Sequence, residues 1–191
     1  MTKEQLKKIA IYATNKNIDI YTPLLNKYMQ EYSIVGLKRQ SMFLATIIHE
    51  SGSFKYTREL ASGAAYEGRK DLGNTELGDG TRFKGRGLIQ VTGRHWYTEA
   101  SKDLGLDLLT YPELLEQPEY AVLISCWWWK KNNMNALCDT SDMKTKSTVT
   151  VKGEDITTDS TFLKVTRKVN GGYNGLKDRV EWFNLAVKNL Q

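Results

Sequence analysis

Apolar positions recur at helical spacing from the start of the chain. Leu6, Ile9, Ala10 and Ala13 follow Thr2-Lys3-Glu4-Gln5, which has the form of a capping box, so a first helix is predicted to run to about Thr14. Pro23 is placed to open a second helix carrying Leu24, Leu25, Tyr28 and Met29. A third is predicted over roughly Leu37 to Ser51, ended by Gly52. Residues 61–87 are rich in glycine and charge, which predicts loop, with a short strand pair near Thr81 to Lys84 as a small β-rich region. Leu88 to Leu104 fits a helix, Pro112 and Pro118 mark turns, and the strongly apolar helix that follows to about Asn132 is the predicted centre of the domain. In residues 139–160, β-branched and polar residues alternate around Lys152-Gly153-Glu154-Asp155, predicting a surface hairpin inserted between helices. Two last helices, about Thr161 to Val169 and Leu176 to Leu190, flank a turn of asparagines and glycines. With no internal repeat and no low-complexity linker, residues 1–191 read as one mainly helical domain.

Composition agrees with a packed chain. Of 191 residues 40% are hydrophobic and only three are proline, while five tryptophans and ten tyrosines set it apart from disordered sequences. The N-terminal stretch has no apolar core of a secretory signal, and nowhere do some eighteen apolar residues run together, so neither export by a signal peptide nor membrane insertion is expected. Cys126 and Cys138 lack metal-ligand spacing and read as reduced core thiols. A net charge of +5 favours an acidic polymer: nucleic acid, a membrane face or an anionic cell wall. The lysines are dispersed, without a basic block carrying interleaved aromatics, which argues against nucleic acid.

Candidate chemistry centres on His49-Glu50-Ser51-Gly52-Ser53-Phe54 and the residues just after it. Phe43, Ile47 and Glu50 share one helical stripe, so the Glu50 carboxyl is expected to be partly buried. Desolvation favours the protonated form of a carboxyl, which is what a general acid needs; the plainer reading is a helix-end glutamate reaching solvent. Glu59, beyond Gly52 and beside Arg58, sits in a polar stretch that suits an ionised group. Two carboxyls in contrasting environments make an acid and base pair of the kind glycoside hydrolysis uses. Glu67 competes with Glu59 for the second role, its plainer reading being a loop ion pair with Arg69.

Rival chemistries fail on the same residues. His49-Glu50 opens a zincin motif, but Ser53 stands where the second histidine belongs. The only histidines, His49 and His95, lie outside any nucleophile-elbow or cysteine-protease context, and the glycines of 78–85 lack the Gly-Lys-Ser/Thr ending of a phosphate loop. Residues 71–76 lack the alternating oxygen ligands of a calcium hand, and no cofactor or metal is indicated.

HESGSF at 49–54, FKGRGLIQVTGRHWY at 83–97 and VNGGYNGLKDRVEWF at 169–183 together resemble the family 19 glycoside hydrolases, nearest to phage endolysins and related bacterial cell-wall lysins. The likeness covers roughly residues 35–190. It implies a lysozyme-like, mainly helical α+β fold with a deep cleft, and cleavage of β-1,4 links between N-acetylated sugars with inversion. By the resemblance, Glu50 matches the general acid and Glu59 the second carboxylate, with Glu67 left in play because plant-type members place theirs further along. Gln90 and Thr92 match cleft positions, the hydroxyl helping to hold the attacking water. Tyr97 matches an aromatic substrate contact, and Asn170 and Arg179 match the asparagine and arginine of the last segment. Each has a plainer rival: a helix cap for Thr92, a turn for Asn170, a surface ion pair for Arg179, a core position for Tyr97 or its neighbour Trp96.

The function these features imply is a peptidoglycan hydrolase acting on glycan strands. Alternatives are a chitinase, a lytic transglycosylase, or an inactive wall-binding protein on the same scaffold. A second carboxylate counts against the transglycosylase, which needs no activated water. The resemblance further implies a monomer made in the bacterial cytoplasm, released to the wall by a holin-type partner and targeted by its own charge.

Overall fold

Local chemistry sets where the helices of this chain begin and end. The structure, a computed structural model, describes residues 1–191. Helix α1 spans Lys3–Ile9, with the predicted capping box on Thr2 and Gln5 in place. It stops short of the predicted end because Thr14 caps the next helix, accepting the Asn17 N–H at 3.1 Å. That helix, α2, runs Asn15–Glu31 with Pro23 in its interior instead of at its start. The buried stripe of Ile18, Tyr21, Leu25, Tyr28 and Met29 holds it together across the residue that lacks an N–H.

Helix α3, Leu37–Glu50, buries every residue from Ser41 to Ile48 and ends before Gly52, whose φ of 57° is a left-handed conformation that glycine adopts most readily. Helix α9, Leu176–Leu190, packs along it more extensively than any other helix pair. Helix α6, Pro118–Lys131, lies on α2 and touches α3 through the Phe43 and Trp129 rings, 5.2 Å apart. The centre predicted for α6 alone is therefore shared with α3. Cys126 and Cys138 are free and buried; burial pushes the Cys126 thiol well up and that of Cys138 to about 12, so both act as packing groups.

Between these helices the prediction needs correction. Residues 61–87 hold single 3-10 turns at Ala64–Tyr66 and Lys70–Leu72, and a short helix α4, Asp79–Arg82, stands where a strand pair was expected. The Asp79 carboxylate accepts the N–H groups of Thr75 and Glu76, each at 3.0 Å, which winds the chain into that turn. Strand-like pairing is confined here to isolated bridges, Arg58 with Arg86 and Arg86 with Val91. The helix predicted from Leu88 begins only at Arg94: α5 spans Arg94–Leu104, because Gly87, Gln90 and Gly93 all take positive φ. A helix the periodicity did not mark, α7, follows at Met134–Asp139 after a left-handed Asn133.

The predicted hairpin is present as β1, Lys146–Val151, and β2, Glu154–Asp159, antiparallel with Val149 opposite Ile156. Asp159 then caps α8, Ser160–Asn170. Lys177 on α9 pairs with Glu154 at 2.6 Å, tying the hairpin tip to the end of α9 that faces the site. No helix is long and apolar enough to cross a membrane.

Candidate active site

An open groove of about 590 Å³ is lined by Glu50, Glu59, Tyr66, Arg69, Leu72, Ile89, Gln90, Thr92, Val169, Asn170 and Gly171. Five of the residues marked by sequence, Glu50, Glu59, Gln90, Thr92 and Asn170, thus converge from three separated segments.

One wall is helical. Glu50 is the last residue of α3 and leaves the core as the helix ends, its side chain 20% exposed. Its carboxylate is held by the guanidinium of Arg179 on α9, which is only 2% exposed. Burial beside an apolar stripe was expected for Glu50; a buried cation also stands next to it. Arg179 is consequently a support beneath Glu50, and too enclosed to contact a substrate. One residue back on each helix, His49 Nδ1 lies 2.5 Å from Asp178 Oδ2, which also accepts the Trp182 indole N–H at 2.9 Å. Two adjacent rungs therefore join α3 to α9. Above them, a Cβ on Gly175 would fall 2.4 Å from His49 Cε1, so the turn opening α9 closes over the histidine only because that position is glycine. Asn170 ends α8, and its amide makes one long contact, 3.5 Å, with the Asn174 carbonyl.

The other wall is irregular. Residues 83–93 double back through reciprocal hydrogen bonds between Arg86 and Val91, 3.1 and 2.8 Å, and through Gly93 N–H to Phe83 C=O at 2.8 Å. Glu59 is stitched to this loop by its N–H, which donates to Gly85 C=O at 3.0 Å. Gln90 takes a left-handed φ of 61°, a strained geometry for a residue with a side chain, and its amide nitrogen donates to Gly87 C=O at 2.9 Å. Thr92 Oγ1 donates to Gln90 C=O at 3.0 Å, so its lone pairs face outward as acceptors; it caps no helix. These groups meet at Gly85. A Cβ there would lie 2.9 Å from Gln90 Oε1, 3.1 Å from Glu59 Oε2 and 3.3 Å from Thr92 Oγ1. Glu59 Oε2 accepts the Tyr66 hydroxyl at 3.0 Å, whereas Oε1 is buried without a protein partner.

Two expectations are overturned by burial and by hydrogen bonding. Tyr97, expected to touch substrate, is fully buried; its hydroxyl donates to Lys84 C=O at 2.7 Å and accepts from Arg86 at 3.1 Å, while burial pushes its pKa far above the usual phenol value. It braces the 83–93 loop from inside. Trp96 likewise packs edge-on against Trp127 and Trp128, outside the groove. Glu67, the alternative base, has both oxygens committed, accepting Gly78 N–H at 2.6 Å and Gly80 N–H at 2.8 Å, and it does not line the groove. Nor does it pair with Arg69, which binds Asp71 and by that pairing lowers the Asp71 carboxyl below its ordinary value. Sequence reasoning passed over Tyr66 and Arg69, although both flank Glu67 in the tetrad Tyr66-Glu67-Gly68-Arg69; the carboxylate drew attention because it is ionisable, and loop direction carries no periodic signal.

No protein-family model matches the chain. A Haemophilus influenzae protein described as glycosyl hydrolase family 19 domain-containing is 27% identical over 195 residues, covering 85% of this chain and 86% of that protein. An Arabidopsis thaliana endochitinase is 32% identical over 139 residues, which is 72% of this chain but 41% of the relative. Among solved structures, the class IV family 19 chitinase of Zea mays superposes with a TM-score of 0.72 at 19% identity, over 100% of this chain and 92% of that one. Chitinase C of Streptomyces griseus gives 0.70 at 20% identity, over 99% and 76%.

Proposed function

We propose that this chain, a glycosidase sharing the mainly helical, lysozyme-like fold of the family 19 glycoside hydrolases, cleaves β-1,4 bonds between N-acetylated sugars by a single inverting displacement. The observation that carries this reading is the meeting of Glu50 and Glu59 in one groove with different surroundings. Glu50, protonated on the oxygen that Arg179 leaves free, donates that proton to the glycosidic oxygen as the bond to the leaving sugar breaks. Glu59, whose Oε2 shares the space beside Gly85 with Thr92 Oγ1, accepts a proton from the attacking water. The Thr92 hydroxyl, its own proton spent on Gln90, accepts a hydrogen bond from the second proton, which stays on the oxygen as the new hydroxyl. With both protons directed at protein acceptors, the water's lone pair is free to face the anomeric carbon, and attack opposite the leaving group inverts the configuration. Arg179 carries the charge left on Glu50. Asn170, with only a weak internal contact, is available to an N-acetyl carbonyl.

The substrate we favour is the glycan strand of peptidoglycan, consistent with the net charge of +5 and the attraction of an acidic wall for it. Release to the wall by a holin-type partner, lysis of the host cell and action as a monomer belong to the same proposal. Chitin is the second reading, favoured by the endochitinase and chitinase names of the relatives. Digestion of purified peptidoglycan and of chitin, with mass spectrometry of the new ends, separates them. Reducing muramic or glucosamine ends from peptidoglycan support the first reading, products from chitin alone the second. Anhydro-muramic ends, or a retained anomeric configuration by NMR, would overturn the mechanism.

A further inference from the structure

We infer that Tyr66 is a positioning residue for Glu59, whose hydroxyl fixes the rotation of that carboxylate and so the direction in which it takes a proton. The inference rests on the proposed role of Glu59 as base. A carboxylate on a flexible side chain can present either oxygen, or both at poor angles, and a general base must offer one lone pair along the line of the departing proton. The Tyr66 hydroxyl donates to Oε2 at 3.0 Å, beside Gly85 and Thr92 Oγ1, while Oε1 is turned into the protein, so Oε2 keeps its second lone pair for the attacking water.

The surroundings of Tyr66 make this a built contact. Its carbonyl accepts the amide of Asn74 at 2.9 Å, and Asn74, fully buried, accepts the Arg94 N–H at 2.8 Å, so the tyrosine is pinned to the start of α5. The neighbouring Glu67 binds the N–H groups of Gly78 and Gly80, clamping the same turn to α4. Burial, and then the Glu59 carboxylate, raise the Tyr66 phenol above its usual value of 10.0, so it remains a donor throughout the range in which a carboxylate base works. A donor on the carboxylate also steadies the ionised form that must be present before the water arrives.

Tyr66→Phe keeps the ring and removes only the donor. With wild type and Glu59→Gln alongside, kcat, KM and the pH dependence of kcat/KM are measured on peptidoglycan fragments and on a chitin oligosaccharide. For Tyr66→Phe the expected result is a kcat lower by roughly tenfold, an unchanged KM, and an acid limb moved up by about half a pH unit or more, as expected for losing a hydrogen bond to a charged group. The melting temperature should match wild type. Wild-type kcat with an unmoved acid limb overturns the inference, and so does a loss expressed wholly in KM, which would make Tyr66 a wall of the groove and nothing more. If Glu59→Gln keeps wild-type turnover, or wild type cleaves neither substrate, the proposed function itself fails, a result distinct from failure of Tyr66→Phe alone.

Discussion

The two walls of the groove are made by opposite means. Glu50 is carried by paired helices, α3 and α9, whose contact is apolar except for two adjacent rungs, Glu50 with Arg179 and His49 with Asp178. Glu59 is carried by turns in which backbone N–H groups, glycines and one tyrosine do the holding. A helix pair positions a side chain at the cost of exposing it to the stability of the whole core. The loop wall is rooted in the core through Phe83, Leu88 and Val91, but it holds Glu59 itself by local bonds. The walls should therefore fail differently: damage to the first should show in stability and rate together, damage to the second in rate alone.

The largest effects remove the reacting groups themselves. Glu50→Gln and Glu59→Gln are each expected to lower kcat by about a hundredfold or more, since general acid and base contributions are of that order, with a melting temperature near wild type for Glu59→Gln and a lower one for Glu50→Gln, which leaves the enclosed Arg179 without its counter-charge. Lysis or oligosaccharide turnover near wild type in either variant would sink the assignment. Gly85→Ala comes next and tests the loop wall. The added methyl meets three polar atoms of the site within 3.3 Å, and because Gln90 is already strained the displacement should pass to Glu59 and Thr92. Misplacement by about an ångström costs up to roughly a hundredfold, so kcat should fall by tens of fold while thermal unfolding changes little.

Arg179→Leu tests the helical wall. It leaves the Glu50 carboxylate half-enclosed and unpaired, and breaking an enclosed ion pair from one side costs about 3–5 kcal/mol, here reduced because Glu50 keeps 20% exposure. At roughly 2–4 °C per kcal/mol for a chain of this size, a drop of several degrees in Tm should accompany the loss of activity. A Tm equal to wild type would mean that the rungs between α3 and α9 do not support the fold, and the contrast between the walls would lose its basis.

The contrast also explains what could be read from the sequence. The end of α3 at Gly52, the hairpin around Lys152-Gly153 and the last two helices follow from periodicity and turn residues, and they deliver Glu50, Asn170 and Arg179 to their places. Regular backbone repeats, so apolar spacing reports it. The loop wall has no such repeat. Its shape depends on Gln90 at positive φ, on the Asn74 clamp and on Asp79 gathering two N–H groups, none of which leaves a periodic trace. Gln90 and Thr92 were found through a motif, but Tyr66 had no motif to announce it. Tyr97, inside the same motif, was mistaken for a contact because a motif lists residues without saying which way they face; only its bonds to Lys84 and Arg86 reveal an inward brace.

The smallest effect expected concerns the anchor of the loop wall at low pH. Arg94, first, and then the N–H groups of Glu76 and Thr75 hold the Asp79 carboxyl below its ordinary value of 3.8. A carboxyl depressed in the folded chain contributes stability that is fully present above the unfolded value and is lost as pH falls through the folded one. The window thus lies at and below about pH 4, far from the range of catalysis, and activity near neutrality should not register it. Hydrogen exchange should. As the medium is acidified through that window, the amides of Thr75 and Glu76 should lose protection before those of α3, after correction for intrinsic rates, because protonation of Asp79 weakens their acceptor and its pair with Arg94 while leaving the helix pair intact. In Asp79→Ala, which removes the acceptor altogether, the same amides should be weakly protected at every pH. Simultaneous loss from both walls would show that the loop's local bonds are held by the core after all, and that the irregular wall is no more independent than the helical one.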